Sequence, residues 1–542
     1  YKSPKSVQET IEILKISESG IFEVADGKYS KTYRFSDVNY ATRSEEEQES
    51  FFQRYCRCLN SFDCTFKITV NNKNKDMDVL RNEVMLKYRN DRFDKMRESY
   101  NRIIEEKILE GRQGIEQERY LTITIERKNF EEAKAQFATI EASMFRSFAE
   151  LGSKLTPLTG NERLKILHDY YRLGREDEFN FDIRQGRITG TDFRNEICNT
   201  RIKYHPDYFE DEGKVGRVLF IKKYPTYLSD RFFTELTFLP VRSVTSVDVV
   251  PVPKDLTMKM LQKKYLGIES DIIKQQRTRN RNNDFSSDIS YATRQKKKDI
   301  EEIMNNVREN DESLYYVSVT MIVMADDRDE LESICETVDS IAKGAGCAVD
   351  TCMYKQREAV NTTLPIGVRQ IETMRTMLTQ SLAVLMPFNV QELCDRNGIY
   401  YGVNQISKNI IVGNRKKLLN GNGFIFGVSG AGKSFQAKME MGSVLLSTDD
   451  NVIAVDPMNE YEDVTEKYNG TYINISTNTR NYINPMDMDV WNLDVLDSKG
   501  WVRDKCQFML SICEQIMKEI TPQQRSIISR CVKDLYMDIA RS

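Results

Sequence analysis

Residues 423–440 read GFIFGVSGAGKSFQAKME, and no other stretch limits the fold as strongly. A short apolar run enters a loop of glycine, serine and alanine, then leaves through Lys433 and Ser434 into a helical pattern. Residues 427–434, GVSGAGKS, match G-x-x-x-x-G-K-[ST] in full. A polyphosphate needs several backbone N–H groups turned into one concavity, and only small residues let the backbone wrap so closely. Gly427, Val428, Ser429, Gly430, Ala431, Gly432, Lys433, Ser434 and Phe435 are therefore the candidate nucleotide-binding residues. Lys433 would reach the β- and γ-phosphates and Ser434 would ligate Mg²⁺, with the helix starting near 433 turning its positive end to the phosphates. Phe435, Met439, Gly442 and Leu446 are expected to pack that helix on a sheet. The motif thus implies ATP and Mg²⁺ as ligands and an α/β fold around them.

About 20 residues on, NVIAVDPMNEY (451–461) reads as a buried parallel strand ending at Asp456, where open α/β sheets place their ligands. Two readings stand for its acids. Asp456 holds Mg²⁺ through water and Glu460 polarises an attacking water, or Asp456 caps a turn before Pro457 and Glu460 faces solvent. NIIVG (409–413), GFIFG (423–427) and TYINIS (471–476) are read as further strands, and NYINPMD (481–487) as a loop returning to the same edge.

At 542 residues the chain is too long for one domain. Its first part carries an internal echo. Residues 118–158 and 313–354 each read strand, helix, glycine, strand, which predicts one α/β sandwich assembled from both halves of the N-terminal region. GRVLFIKKYP and SVTSVDVVPVP add strands between them, and residues 84–118 read as a charged helix. Residues 255–310 predict a long charged helical hairpin, broken near 281–288. Its basic run from Lys274 to Lys298 is balanced by Asp284, Asp288, Asp299, Glu301 and Glu302, which favours a solvated hairpin over a nucleic-acid surface. After Pro365 the pattern becomes loop-rich, with LPIG, LMPF and NGIYYGVN. The main boundary is placed near 380, giving an N-terminal domain 1–380 and the first part of a nucleotide-binding domain 381–542.

The net charge of −4 provides no global field for nucleic acid or anionic membrane. No run of 18 apolar residues appears, and the start YKSPKSVQETIEILK has no signal-peptide core. It also lacks an initiator Met, and DLYMDIARS stops inside a helical pattern, so the chain is read as part of a longer protein. Eleven scattered cysteines predict a reduced, cytoplasmic setting. Cys56, Cys58 and Cys64 lack a nearby fourth ligand for zinc, since His168 and His205 are the only histidines. That scarcity also argues against histidine-based acid–base chemistry, and Trp491 and Trp501 are assigned to packing.

GVSGAGKSFQAKME, VDPMNEYEDV, the Gly470-to-Ser476 strand, INPMD, LPIG, PFN and GIYYGVN together resemble the conjugative type IV secretion ATPases of the CagE/TrbE/VirB family, in wording nearest those of Gram-positive conjugative elements. The strong matches cover roughly 364–487. YSKTYRFSDVNY and LTPLTGNERLKILHDYY resemble that family's N-terminal domain. The resemblance implies a hexameric ATPase of the FtsK–HerA group, peripheral on the cytoplasmic face of the cell membrane. It would work with inner-membrane channel proteins and move DNA or a relaxase–DNA substrate. With the patterns above, the expected fold is α/β: a mixed α/β N-terminal domain with a long helical hairpin, followed by the first part of a RecA-like P-loop domain. Ala431 stands where the family usually has serine, and no strand ending in Asp-Glu follows, so weak or no hydrolysis is expected of this chain alone. A DNA-translocating coupling ATPase and a nucleotide-gated scaffold are the other two functions the sequence admits.

Overall fold

The computed structural model describes all residues except 1–5, 75–80, 83, 111–114, 200, 226, 282–290, 396, 477–478, 480, 482–483, 488–497, 518 and 540–542. The chain forms two compact units, residues 1–426 with 446–449, and residues 427–445 with 450–542. The first unit thus extends to Phe426, past residue 380.

The first unit is built on one large antiparallel sheet. The short strands β1 (Lys15–Ile16) and β2 (Ile21–Ala25) lead into β3 (Lys28–Phe35). Helix α1 (Glu45–Asn60), strand β4 (Thr65–Asn74), helix α2 (Asp94–Glu110), strand β5 (Ile115–Glu126), helix α3 (Phe130–Glu150), strand β6 (Leu155–Pro157) and helix α4 (Gly160–Tyr171) follow. Residues 115–118, expected in a helix, open β5 instead and pair with β4. The first half therefore runs β3-α1-β4-β5-α3-β6, with strands ordered β6-β3-β5-β4, which is the ferredoxin-like arrangement.

The second half repeats it. After β7 (Ile202–Tyr204) and β8 (Phe209–Asp211) come β9 (Lys214–Lys223), helix α5 (Arg231–Thr237), β10 (Ser243–Val252), the hairpin helices α6 (Lys254–Arg281) and α7 (Tyr291–Glu309), β11 (Leu314–Ala325), helix α8 (Arg328–Gly344) and β12 (Ala348–Thr351). These strands are ordered β12-β9-β11-β10. The halves join through antiparallel β4 and β10, with Thr69 opposite Ser246 and their hydroxyl oxygens 2.7 Å apart. The expected hairpin is α6 and α7, tied by Lys297–Glu269 at 2.9 Å. The break expected at 281–288 falls, beyond Arg281, outside the described residues, as do Asp284, Asp288 and Trp491.

Alternation along the strands divides the sheet into two faces. Phe66, Ile68 and Val70 of β4, Leu121 and Ile123 of β5, and Val317, Val319 and Met321 of β11 share a core with Phe51 of α1, Phe137 of α3, Phe233 of α5 and Leu331 of α8. The opposite face carries Ser30, Thr32, Lys67, Thr69, Thr122, Thr124 and Ser246, all buried or nearly so. Such a face needs hydrogen-bond partners. Helix α9 (Gln356–Thr363) and the strap after it supply them. Ser30 donates to the Ile366 carbonyl at 2.6 Å, Thr32 to Pro365 at 3.2 Å and Thr124 to Gly367 at 3.0 Å. The buried guanidinium of Arg163 reaches Pro365 and Ile366, each at 3.3 Å. The LPIG segment, read as loop, is this strap. Strand β13 (Arg375–Leu378) then pairs with β11, and β14 (Ile399–Val403) with β15 (Ile410–Gly413). NGIYYGVN, also read as loop, supplies β14.

Helix α10 (Lys433–Ser447), whose residues 433–445 belong to the second unit, follows the glycine loop; in that unit α11 (Glu462–Lys467) follows Asp456, and α12 (Ser498–Met517) and α13 (Pro522–Ile539) form a hairpin. Val502 and Cys506 pack on Val532 and Tyr536. The expected buried strands at 423–427, 451–456 and 471–476 are not paired into a ladder among the described residues. Ile453 and Val455 are 93% and 94% exposed, and Phe426 is 87% exposed. A parallel strand is buried only between neighbouring strands and covering helices, and the described residues provide no such neighbours for these runs.

Candidate functional site

The glycine loop turns sharply into α10. The Ala431 N–H bonds the Val428 carbonyl at 3.2 Å, and the first helical bond runs from the Gln436 N–H to the Gly432 carbonyl at 2.9 Å. Gly430 and Gly432 sit at φ +80° and +91°, conformations a side chain would strain. Gly427 is constrained by space, since a Cβ there would lie 3.2 Å from the Ala431 Cβ and 3.3 Å from the Lys433 Cγ. The opening N–H groups of a helix have no intrahelical acceptor, and the first turn of α10 carries no acidic residue to occupy them. The helix therefore offers uncompensated positive character at the mouth of the loop.

Lys433 folds back over this loop. Its ammonium donates to the carbonyls of Gly427 at 2.9 Å and Val428 at 3.0 Å. This places the one cationic side chain of the motif against the backbone of the loop itself. Ser434 follows in the first turn. Phe435, expected against a sheet, is 68% exposed, and Gly442 instead faces Tyr468, whose hydroxyl lies 2.8 Å from where a Cβ would stand.

Asp456 shapes the neighbouring turn. Its Oδ1 accepts from the Met458 N–H at 3.1 Å, and its Oδ2 from the Glu460 and Tyr461 N–H groups at 2.6 and 2.9 Å. Desolvation pushes this carboxyl up, but the N–H donors of Tyr461, Glu460, Met458 and Asn459 outweigh it and hold it below the usual aspartate value. Asn459 takes φ +57° within the turn, and the chain passes directly into α11. Tyr461 lies 5.9 Å from the Lys438 ammonium of α10. Glu460 is exposed. Tyr461 and Tyr468, which seat this segment beside α10, were not singled out in sequence. The Asp-Pro-x-Asn turn chemistry that positions them was legible.

The residues present fit a nucleotide and Mg²⁺. The cradle is one that added Cβ atoms would strain or fill, a lysine ammonium stands over it, a hydroxyl follows, and the helix start carries no acid. Among the described residues no His, Cys, Asp and Glu cluster could hold another metal, and no helix is long and apolar enough to cross a membrane.

Residues 414–535 match the family model of the central domain of the helicase HerA. In this part the chain is similar to P-loop ATPase domains of the HerA and FtsK motor class. No curated protein matches the chain.

Proposed function

We propose that this chain is the ATP-hydrolysing motor subunit of a type IV secretion or conjugative DNA-transfer apparatus. The observation that carries the nucleotide part is the glycine loop held at φ +80° and +91° ahead of α10, with Lys433 over it. The transfer apparatus is inferred from the motifs VDPMNEYEDV, INPMD and LPIG beside that loop.

In this reading the backbone N–H groups of Gly427 to Ser434 hold the phosphates and Lys433 leaves the loop carbonyls for the β- and γ-oxygens. Ser434 would offer its hydroxyl oxygen to Mg²⁺, and the Asp456 carboxylate would hold the ion through a water. Glu460 orients the attacking water. Mg²⁺, when bound, neutralises charge on the phosphates. HerA-like ATPases form hexamers, and the same assembly is proposed here, on the cytoplasmic face of the membrane beside channel proteins, with DNA or a protein–DNA complex as cargo.

One observation favours a nucleotide-gated scaffold instead: both oxygens of Asp456 already hold backbone N–H groups. The test is Mg·ATP affinity and hydrolysis by this chain and by a longer form of the protein, each beside Lys433→Ala, with conjugative transfer measured in cells carrying the same variant. A motor loses binding, hydrolysis and transfer together. Transfer that survives in Lys433→Ala would refute the motor reading and leave the scaffold.

A further inference from the structure

We propose that the first unit carries a docking groove for an extended, acidic segment of a partner protein, built where β9 parts from β11. The two strands pair from Val215 opposite Ala325 to Phe220 opposite Thr320. Beyond that point β11 takes β13 as its neighbour, from Val317 opposite Arg375 to Leu314 opposite Leu378. The last residues of β9 leave with β12, Lys223 pairing with Ala348. Arg375 pins the fork by donating from Nη2 and Nε to the Lys222 carbonyl at 2.8 and 3.2 Å.

The fork opens into a groove of about 1310 Å³. That exceeds the roughly 300–1,000 Å³ of small-molecule clefts. Phe52, Leu228, Met377, Leu378 and Val384 give it an apolar lining, and Tyr227, 85% exposed, stands at it. Among the described residues β13 pairs with β11 alone. In an antiparallel ladder alternate residues turn their N–H and C=O outward, so β13 presents an open edge of the kind extended peptides join.

Charge selects the occupant. Lys222, Lys223 and Arg375 line the groove, against one lining carboxylate, Asp230, which already accepts from the Tyr40 hydroxyl at 2.9 Å. Asp350 answers Lys222 at 2.8 Å, while Lys223 has no ion-pair partner among the described residues. A strand with acidic residues on one face and apolar residues on the other satisfies rim, lining and edge together.

The test uses a fluorescein-labelled octapeptide of alternating aspartate and valine, its lysine–valine counterpart, and the whole chain. Anisotropy should show binding of the acidic peptide alone, weakened about tenfold by Lys223→Glu, an exposed position whose change leaves the fold intact. Amide hydrogen exchange should slow at 375–378 when the peptide binds. No binding of the acidic peptide, equal binding of the basic one, or protection that spares 375–378 would overturn the proposal. So would concentration-dependent self-association abolished by Lys223→Glu, which would assign the groove to a second copy of the chain.

Discussion

Lys67 of β4 and Asp248 of β10 are cross-strand partners at the joint between the two halves of the large sheet, and both are buried. The Lys67 ammonium donates to the carbonyls of Thr362, of Leu364 at 3.4 Å and of Val368 at 3.0 Å, so it ties the strap to the joint. Burial pulls its pKa down to about 8, against the Asp248 charge that raises it. Lys67→Met would strand three carbonyls and remove one of the two cations acting on Asp248, the other being Arg369 at 4.0 Å. The expected loss is on the order of 3–5 kcal/mol in denaturant unfolding, with faster proteolysis at 364–371. A change below about 0.5 kcal/mol would mean the strap is held by Arg163 and the hydroxyls alone.

Gly432 at φ +91° ends the loop and opens α10. Gly432→Val forces a branched side chain into that conformation, with a strain of about 1–3 kcal/mol. The predicted result is Mg·ATP binding weakened roughly tenfold or more with the thermal midpoint of the first unit unchanged. Calorimetric titration beside a melting curve reads both quantities, and undiminished affinity would remove the loop from nucleotide binding.

Thr521 and Gln524 exchange bonds at the start of α13. The Gln524 N–H bonds the Thr521 Oγ1 at 3.3 Å, and the Thr521 N–H bonds the Gln524 Oε1 at 2.9 Å. With Pro522 opening the helix this is a capping box. Thr521→Ala should cost about 1 kcal/mol in unfolding of the second unit, and Thr521→Ser should restore it.

Asp211 lies buried beside Asn199, whose Nδ2 donates to it at 2.7 Å. Burial pushes its pKa up to about 7, against the lowering bond from Asn199 and with a smaller push from Glu212. The folded state thus keeps a proton that the unfolded chain releases near the ordinary value of 3.8. Between these two values the folded state binds more protons, so this group's contribution to stability falls as pH rises from about 4 to 7, then levels off. Asp211→Asn should therefore stabilise the protein relative to wild type increasingly from pH 4 to 7, measured as the difference in thermal midpoint. A difference that does not change with pH would contradict the shift.

Much of this protein was legible in residue order. The pattern at 118–158 and 313–354 announced two strand–helix–strand units, and both formed, because alternation at period 2 followed by a 3.6-residue apolar stripe commits each segment locally. The hairpin at 255–310 was readable for the same reason. The loop GVSGAGKS was legible as a motif because its glycines answer a local backbone requirement. The full repeat was not: β3-α1-β4 and β9-α5-β10 share no sequence echo, and only strand order reveals them. Nor was the role of Leu364–Gly367, which lacks any periodic pattern and is held by Ser30, Thr32 and Thr124, more than 240 residues away in the chain.

Short-range chemistry was thus determined by the sequence itself: glycine at φ above zero, Asp456 ahead of Pro457, Thr521 three residues before Gln524. Those devices depend on neighbours within a few positions and form wherever the backbone permits. Tertiary structure decided which strands meet, which polar face the strap closes and where β9 yields its place to β13. Pairing across a sheet is chosen by burial and hydrogen-bond satisfaction among residues far apart in sequence. For that reason 451–456, apolar enough to read as a buried strand, stays unpaired where the described residues bring it no partner.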